Sequence, residues 1–310
     1  YLFPVLVMTK RVLSYIVLII CLALMVISSS STLSKKMMPF FSSYTLQRGD
    51  LYKMSNLPAF KMYKQPCTPL KKETGNSNIY LLGDSFGDML VKDDFDSIGN
   101  FIFIHDDNRI KTKLDNTKKN VLIIECVERS LINRFSTCTD TTNIITDENV
   151  HGTELQTDYK IGASKYFKLK ADQNLQQLLF QDPVSAFFKE AKATLNKNLF
   201  NRVDHSVAVS KNEDYLFLSE TVDTMAFKKE ALSSFIPVPD SLITLVIKNL
   251  EIIAAYYRQK GFNEIIFAPI PNKVSIAAPS IGNYNHLIER ILQQPSQQFI
   301  SVNPFKAFEN

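Results

Sequence analysis

The sequence has little cysteine, little histidine and no strong excess of either charge. Its 310 residues include 4 cysteines and 4 histidines, and 35 Lys and Arg against 31 Asp and Glu leave a net charge of +4. The basic residues are scattered rather than clustered with aromatic residues, so nothing indicates a nucleic-acid partner. No C-x-x-C pair and no group of His, Asp and Glu has the spacing of metal ligands, so we predict neither a metal nor a cofactor.

The chain does contain enough apolar sequence for a substantial core, because 45% of its residues are hydrophobic. Its length allows one large domain or two modest ones. No internal repeat and no low-complexity tract is evident, so the sequence indicates an ordinary globular composition.

An almost unbroken apolar run covers residues 12–27, interrupted only by Ser14 and preceded by Lys10-Arg11. This pattern over residues 1–30 is typical of an export signal, and both a cleaved signal peptide and an uncleaved membrane anchor fit it. The lack of an A-x-A-like cleavage site favours the transmembrane anchor, and a buried core helix is a further alternative. We therefore expect the rest of the chain outside the cytoplasmic membrane.

The remaining chain divides into a lead-in and a domain. Residues 31–75 are rich in Ser, Lys, Pro and Met without a sustained period, and we predict a stalk there. Residues 76–310 are predicted to form an α/β domain with a mainly parallel sheet. Three short apolar runs, each followed by polar residues, are typical of strands buried on both faces: residues 79–82, 101–104 and 121–124.

Later segments carry helix and hairpin signals. A polar stretch with helical spacing over residues 137–201 predicts an insertion on the sheet, and residues 206–218 predict two strands around a turn. Apolar residues at helical spacing predict a helix over 242–257, ended by Gly261 and followed by a strand over 265–270. The short interval after residue 85 leaves room for only a brief helix over 86–92.

The cysteines do not define a disulfide framework. Cys21 lies in the apolar segment, which leaves Cys67, Cys126 and Cys138 for the exported part. A bridge from Cys67 to either of the other two is compatible with an oxidising compartment.

Gly83-Asp84-Ser85 is the segment with the clearest chemical potential, since it lies between a predicted strand and a predicted helix start. Backbone N–H groups are unpaired there, and the helix dipole favours a developing oxyanion, so a serine at this point is suited to nucleophilic attack. The alternative is that Asp84 and Ser85 only cap a helix.

Four stretches together resemble the SGNH or GDSL hydrolase superfamily, and within it the alginate O-acetyltransferase type (AlgX/AlgJ-like). The first, residues 79–86, is similar to that family's nucleophile block, and the second, residues 121–131, to its following strand with a Glu-Arg pair. The other two are residues 215–218 and 266–273. The serine block comes first here, as in ordinary GDSL hydrolases, whereas it comes late in the alginate enzymes.

The resemblance implies a three-layer domain in a bacterial cell envelope, facing the periplasm or the exterior. This domain would move acetyl groups to, or remove them from, a cell-envelope or exported polysaccharide. It makes Ser85 the nucleophile, with Gly83 and Asp84 forming its turn. Arg129 would support the oxyanion or bind an acidic sugar; an ion pair with Glu125 or Glu128 is the alternative. Two weaker candidates for substrate binding lie at the end of the fourth stretch: Asn272 and Lys273. The resemblance also implies a membrane O-acyltransferase as partner.

A hydroxyl nucleophile needs a base, and the resemblance calls for an Asp-x-His or Asp-x-x-His motif, which this sequence lacks. Of the four histidines (His105, His151, His205 and His286), His105 at the end of the second predicted strand is the best substitute. We expect the C-terminus to be incomplete, with the Asp-His segment beyond Asn310. The alternative is a catalytically degenerate glycan-binding or scaffold protein of the envelope.

Overall fold

The structure of the chain is a computed structural model. It describes residues 2–29, 75–87, 90–147, 149–150, 153–156, 183–203, 207–212, 214–224 and 233–308. The chain forms two compact units. The first comprises Tyr1–Lys61 and Asp158–Asp204, and the second comprises Met62–Thr157 and His205–Asn310.

The described part of the first unit is helical. Helix α1 spans Leu2–Ser29, and helix α3 spans Pro183–Phe200. Helix α2, Leu131–Phe135, lies between them in the chain and belongs to the second unit. The predicted transmembrane segment lies in α1, and no helix in the described residues has both the length and the apolar character needed to cross a membrane.

The second unit is built on a five-stranded sheet. Its strands are β1 (Ser77–Gly83), β2 (Ile98–His105), β4 (Lys119–Val127), β9 (Glu264–Ile270) and β10 (Ile300–Ser301). They lie in the order β10-β9-β4-β1-β2, and every neighbouring pair is parallel. The first strand in the chain is thus in the interior of the sheet, with the second on one side and the later strands on the other. This order places a topological switch point between β1 and β4, where open α/β sheets bind their ligands.

Smaller elements surround this sheet. Five short strands are Arg109–Thr112 (β3), Ile144–Thr146 (β5), Thr153–Gln156 (β6), Val207–Val209 (β7) and Leu216–Leu218 (β8). Strands β5, β3 and β6 form a three-stranded sheet in that order, and β7 and β8 form an antiparallel hairpin. The helices of this unit are Leu131–Phe135 (α2), Asp240–Gln259 (α4), Lys273–Ala277 (α5) and Leu287–Leu292 (α6).

One face of the large sheet carries the main core. Side chains such as Tyr80, Leu82 and Leu122 pack there against apolar residues of α2, α4 and α6. Burial of one large apolar side chain stabilises the fold by roughly 1.5–3 kcal/mol, so this face accounts for much of the stability of the unit. The opposite face carries Leu81 and Phe103.

The structure confirms an α/β unit with a mainly parallel central sheet, and the predicted strands, hairpin and long helix are present. Gly261 follows α4 with a φ of +104°, a conformation that glycine adopts without steric cost. Three other expectations, which concern a brief helix, the helical insertion and a disulfide bridge, have different outcomes.

Part of the brief helix expected over 86–92, residues 88–89, lies outside the described residues; the described part has a turn at Ser85–Phe86 and a 3-10 helix that begins at Lys92 and ends at Asp94. The predicted helical insertion contains strands β5 and β6 before α3, because these short strands pair with β3. Cys126 and Cys138 are free thiols, and Cys67 lies outside the described residues.

Candidate active site

The carboxyl ends of four parallel strands bring the candidate residues to one edge of the sheet. Asp84 and Ser85 follow β1, and Asp106 follows β2. Arg129 follows β4, and Lys273 follows β9. The sequence-predicted residues therefore lie at the same edge as the switch point between β1 and β4.

Ser85 lies in a tight turn and is exposed. The carboxylate of Asp84 accepts a hydrogen bond of 2.8 Å from the N–H of Phe86, and the N–H of Gly87 donates to the Asp84 carbonyl at 3.1 Å. These two bonds are the local reason for the turn, since an Asp side chain that captures the N–H two residues later favours such a conformation. Among the described residues the Ser85 hydroxyl has no hydrogen-bond partner.

The turn folds onto the sheet face opposite the main core. A Cβ added to Gly87 would lie 2.8 Å from Cε2 of Phe103 and 3.0 Å from Cδ2 of Leu81, so the absence of a side chain allows this close approach. Leu81 and Phe103 are register partners in β1 and β2 and point to the same face. Ser85 is thereby held over the β1 end of the sheet.

A buried glutamate supports the turn from the neighbouring strand. Glu125 in β4 is only 3% exposed, and its Oε2 accepts the Asp84 N–H at 2.9 Å. A Cβ on Gly83 would lie 2.2 Å from this same Oε2, which no real side chain tolerates. Glycine at position 83 therefore leaves room for the glutamate to reach the turn, since a larger residue would displace this carboxyl.

Burial, and secondarily the charge of Asp84, raise the pKa of Glu125 to about 7. The bond from the Asp84 N–H and the charge of Arg134 oppose the rise. Oε1 of Glu125 is buried without a hydrogen-bond partner among the described residues. The physical picture is of a carboxyl group that holds a proton near neutral pH directly beneath the serine turn.

Arg134 connects the ends of β4 and β2 from within α2. Its Nε and Nη2 each lie 2.8 Å from Oδ2 of Asp140, and its Nη1 donates to the main-chain carbonyl of Glu125 at 2.6 Å. Nη1 is also 3.8 Å from Oδ2 of Asp106. The side chain is only 8% exposed, so it fixes these strand ends as a buried, paired charge.

Arg129 reaches toward the serine turn. Its guanidinium carbon lies 5.6 Å from the centre of the Phe86 ring, within the range of a cation–π contact. In the part of the chain that the structure describes, it forms no ion pair with Glu125 or Glu128. Of the two interpretations of Arg129, the arrangement favours a cation directed at the turn.

Glu128, just past β4, is the centre of a buried hydrogen-bond network at the same edge of the sheet. Its Oε2 accepts the N–H of Asn272 at 2.8 Å and the hydroxyl of Ser275 at 2.6 Å. Ser234 extends the network, since its Oγ lies 3.0 Å from Nδ2 of Asn272 and 2.8 Å from Oγ of Ser275. Burial raises the pKa of Glu128, and these hydrogen bonds oppose the rise.

The two weaker candidates occupy different positions. Asn272 is only 2% exposed and belongs to the Glu128 network, which places it in the packing of the edge rather than on its surface. Lys273 is exposed, with Nζ at 5.3 Å from the centre of the Tyr215 ring. Partial burial lowers the pKa of Lys273.

Two of the four histidines lie in the described residues. Nδ1 of His105 is 2.9 Å from Oδ1 of Asp106, and Nδ1 of His286 is 3.2 Å from Oε1 of Glu289. His151 and His205 lie outside the described residues.

A group of ligand-type atoms close enough for a metal ion occurs once in the described ranges, at His105, Asp106 and Asp107, within 4.8 Å of one another. Consecutive residues of one turn commonly reach this separation without an ion, so the arrangement gives no reason to assign a metal.

Sequence reasoning missed the supporting role of Glu125, Arg134 and Ser275. One signal was available for Glu125, because a carboxylate inside the apolar run of residues 121–127 must find a buried partner. No sequence signal indicates which partner it finds.

Comparison with known proteins adds no assignment. No protein-family model matches the chain, and no curated protein and no solved structure matches it.

Proposed function

We propose that this chain is a serine acyl-transfer domain of the SGNH type, with the sheet as the middle layer of three. Ser85 takes an acetyl group and passes it to a hydroxyl of a polysaccharide, or to water. One observation carries the proposal: the exposed Ser85 stands at the switch point of the sheet, on a turn whose backbone is held by the buried Glu125.

The geometry of the turn supports nucleophilic attack. Ser85 is exposed, so a substrate ester can approach its hydroxyl without displacing a protein partner. The hydrogen bonds at Asp84 preorganise the backbone, and fixed N–H dipoles aimed at a developing oxyanion are the largest single contribution in many acyl transfers. Arg129, against Phe86, supplies a positive charge beside the same turn.

The acceptor and the location rest on the resemblance and on the N-terminal sequence. A polysaccharide of the cell envelope is the acceptor that the resemblance implies, with a membrane O-acyltransferase supplying acetyl groups. Lys10-Arg11 before the apolar run supports export of the chain. We propose the periplasm or the exterior as its place of action.

Labelling with a fluorophosphonate tests the nucleophile. We expect a covalent adduct whose mass maps to Ser85 and which is lost in Ser85→Ala. The matched control is Ser77→Ala, which removes the hydroxyl of a half-buried serine at the opposite end of β1 and should leave labelling unchanged. Absence of any adduct in the folded wild-type chain would overturn the proposal and favour a non-catalytic glycan-binding or scaffold protein.

A chromogenic acetyl ester separates transfer from hydrolysis. The chain is incubated with the ester, with and without an acetylatable polysaccharide, and both free acetate and glycan-bound acetate are measured. Glycan-bound acetate that depends on Ser85 supports transfer. Free acetate as the dominant product despite an excess of acceptor identifies an esterase instead.

A further inference from the structure

Helix α3 carries large apolar side chains on its outer surface. Phe188 is 65% exposed, Leu195 is 57% exposed and Leu199 is 69% exposed. Their spacing places all three within about 40° around the helix axis, because an α-helix turns about 100° per residue. These three residues, named the α3 stripe, extend along about 17 Å of the helix.

The opposite side of α3 is the half-buried one. Ala193, Thr194 and Lys197 are half-buried, and they lie about 120–180° around the axis from Phe188. Thr194 and Lys197 both have interaction partners within the chain. A helix at the surface of a water-soluble unit normally buries its large apolar residues and exposes its polar ones. Helix α3 has the reverse orientation, which indicates that the α3 stripe meets a further apolar surface.

The segment that carries the α3 stripe is basic. Residues 183–203 contain one acidic residue, Glu190, and four basic ones: Lys189, Lys192, Lys197 and Arg202. Lys192 is exposed and lies about 40° around the axis from Phe188, directly beside the stripe. A lysine in this position covers apolar surface with its methylene groups and keeps its ammonium group in a polar layer. Phe and Leu on one face, with Lys and Arg around them, are typical of helices that lie in the interface of an anionic bilayer.

The size of the α3 stripe argues against a second copy of this chain as its partner. A stable dimer buries roughly 800 Å² on each partner, and three side chains of at most about 250 Å² each do not reach that area. A bilayer needs no matching protein surface, so a narrow stripe is sufficient for it. The apolar run of residues 12–27, the predicted export signal, belongs to the same unit as α3. A phospholipid surface therefore agrees with the size, the charge and the neighbouring sequence of this helix.

We propose that α3 is an interfacial helix that lies on an anionic phospholipid bilayer, with the α3 stripe among the acyl chains and Lys192 at the headgroups. The apolar face of such a helix lies about 5–10 Å into the boundary between headgroups and acyl chains. The helix axis stays parallel to the membrane, so this contact does not require α3 to cross the bilayer. The proposal concerns the first unit and does not depend on the chemistry of Ser85.

A single tryptophan tests this contact, because the chain contains no tryptophan of its own. Leu195→Trp is made in the 310-residue chain, which is purified in detergent and reconstituted into vesicles of equal parts phosphatidylglycerol and phosphatidylcholine. We expect the emission to shift to shorter wavelengths and to fall by about half or more when the lipid is brominated about 5–10 Å below the headgroups. Leu245→Trp, at an exposed leucine of α4 in the second unit, is the matched control and should show neither change.

Two further measurements separate the α3 stripe from other causes. Glutamate at both 188 and 199 in the Leu195→Trp chain should abolish the shift and the quenching while α1 stays intact, because it removes apolar area and adds repulsion from anionic lipid. Vesicles of phosphatidylcholine alone should reduce the quenching by about twofold or more, since the attraction of the basic residues is lost. Circular dichroism and thermal unfolding establish that each variant is folded. Leu199→Trp, one turn further along the stripe, replaces Leu195→Trp if that variant does not fold.

Three results would overturn the proposal. The first is a tryptophan at position 195 that brominated lipid does not quench, and the second is equal quenching of Leu245→Trp, which would indicate adsorption of the whole chain. Equal quenching in neutral and anionic vesicles is the third, because it would exclude recognition of anionic headgroups. A shift to shorter wavelengths that needs no lipid and grows with protein concentration would identify a second copy of the chain as the partner instead.

Discussion

Glu125 and Glu128 belong to the same segment of β4 and its exit, and both are buried. Each uses Oε2 to accept a main-chain N–H just past the end of a neighbouring strand: Glu125 takes that of Asp84 after β1 at 2.9 Å, and Glu128 takes that of Asn272 after β9 at 2.8 Å. Each also has an Oε1 atom that is buried without a hydrogen-bond partner among the described residues.

The two glutamates differ in the residues that surround these hydrogen bonds. Glu128 has a second donor in Ser275 and a third residue, Ser234, behind it, so its network is closed by protein. Glu125 accepts from Asp84 and lies near the acidic groups of Asp84 and Asp106, beneath a turn whose serine faces solvent. The same pair of contacts is therefore enclosed by protein in one part of the edge and lies beneath an exposed serine in the other.

The largest expected effect comes from Gly83→Ala, which adds a Cβ 2.2 Å from Oε2 of Glu125. The carboxyl must move and give up the Asp84 N–H, so we expect a loss of roughly 2–4 kcal/mol in the free energy of unfolding, from overpacking and a lost hydrogen bond. Urea unfolding measures this loss, and fluorophosphonate labelling should fall with it.

Glu125→Ala provides the matched background for this change. It removes Oε2, so the nearest remaining atom to the new Cβ is Cβ of residue 125, at 3.1 Å in the wild-type chain. Gly83→Ala should therefore cost roughly 1–2 kcal/mol less in the Glu125→Ala background than alone. Equal costs in both backgrounds would show that the glutamate is not what demands a glycine.

The next largest effect is expected at Glu128→Ala, which leaves the buried N–H of Asn272 without its acceptor, while the Ser275 hydroxyl keeps Oγ of Ser234 as a partner. An orphaned buried donor costs about 1–3 kcal/mol, and we expect a loss of that size in urea unfolding. Glu128→Gln keeps an acceptor oxygen and should cost less than about 1 kcal/mol, the net value of one ordinary hydrogen bond. If alanine and glutamine variants unfold alike, the network does not stabilise the edge.

The strands and the position of the serine turn could be predicted from the sequence, but the contact of Glu125 with the turn could not. The apolar runs around Ile79 and Val121 predicted the parallel strands, and the position of Gly83-Asp84-Ser85 at a strand end followed from them. The contact of Glu125 with Asp84 depends on the register of β1 against β4, in which Leu82 pairs with Ile124, and no local pattern specifies a register between distant strands.

The small sheet escaped prediction for a different reason. Strand β3, Arg109–Thr112, is only four residues long and mostly polar, so it has too few positions for an alternating pattern to be visible. Its partners β5 and β6 come much later in the chain, within the segment expected to be helical, so tertiary pairing rather than local propensity defines them.

A smaller effect is expected in the pH dependence of stability, because burial raises the pKa of both glutamates. Burial and Asp84 raise the pKa of Glu125 from 4.5 to about 7, so between these values the folded chain binds more protons than the unfolded one. The free energy of unfolding must then fall as the pH rises through this window. The shift corresponds to at most about 3 kcal/mol, and we expect about 1–2 kcal/mol after relaxation around the charge.

Urea unfolding at several pH values from about 4 to about 8 measures this slope across the titration of Glu125. Glu125→Gln should remove its part of the slope while keeping the acceptor for Asp84. Glu128→Gln should also reduce the slope, because burial raises the pKa of Glu128 as well. An unchanged slope in Glu125→Gln would assign the pH dependence to other groups.

The smallest changes in stability are expected for two cations at this edge of the sheet, Arg129 after β4 and Lys273 after β9. Arg129 lies over Phe86 and Lys273 over Tyr215, with 5.6 Å and 5.3 Å to the ring centres. Each contact contributes about 0.5–1 kcal/mol near the surface, so Arg129→Met and Lys273→Met should each change the free energy of unfolding by no more than that.

The effects of these two substitutions on labelling should differ, because Arg129 faces the serine turn and Lys273 faces the hairpin. We expect Arg129→Met to slow fluorophosphonate labelling about tenfold or more, toward the cost of losing an oxyanion donor, and Lys273→Met to leave the rate unchanged. A wild-type labelling rate in both variants would mean that Arg129 only packs against Phe86. The reactivity of Ser85 would then depend on its hydrogen-bonded turn and not on this cation.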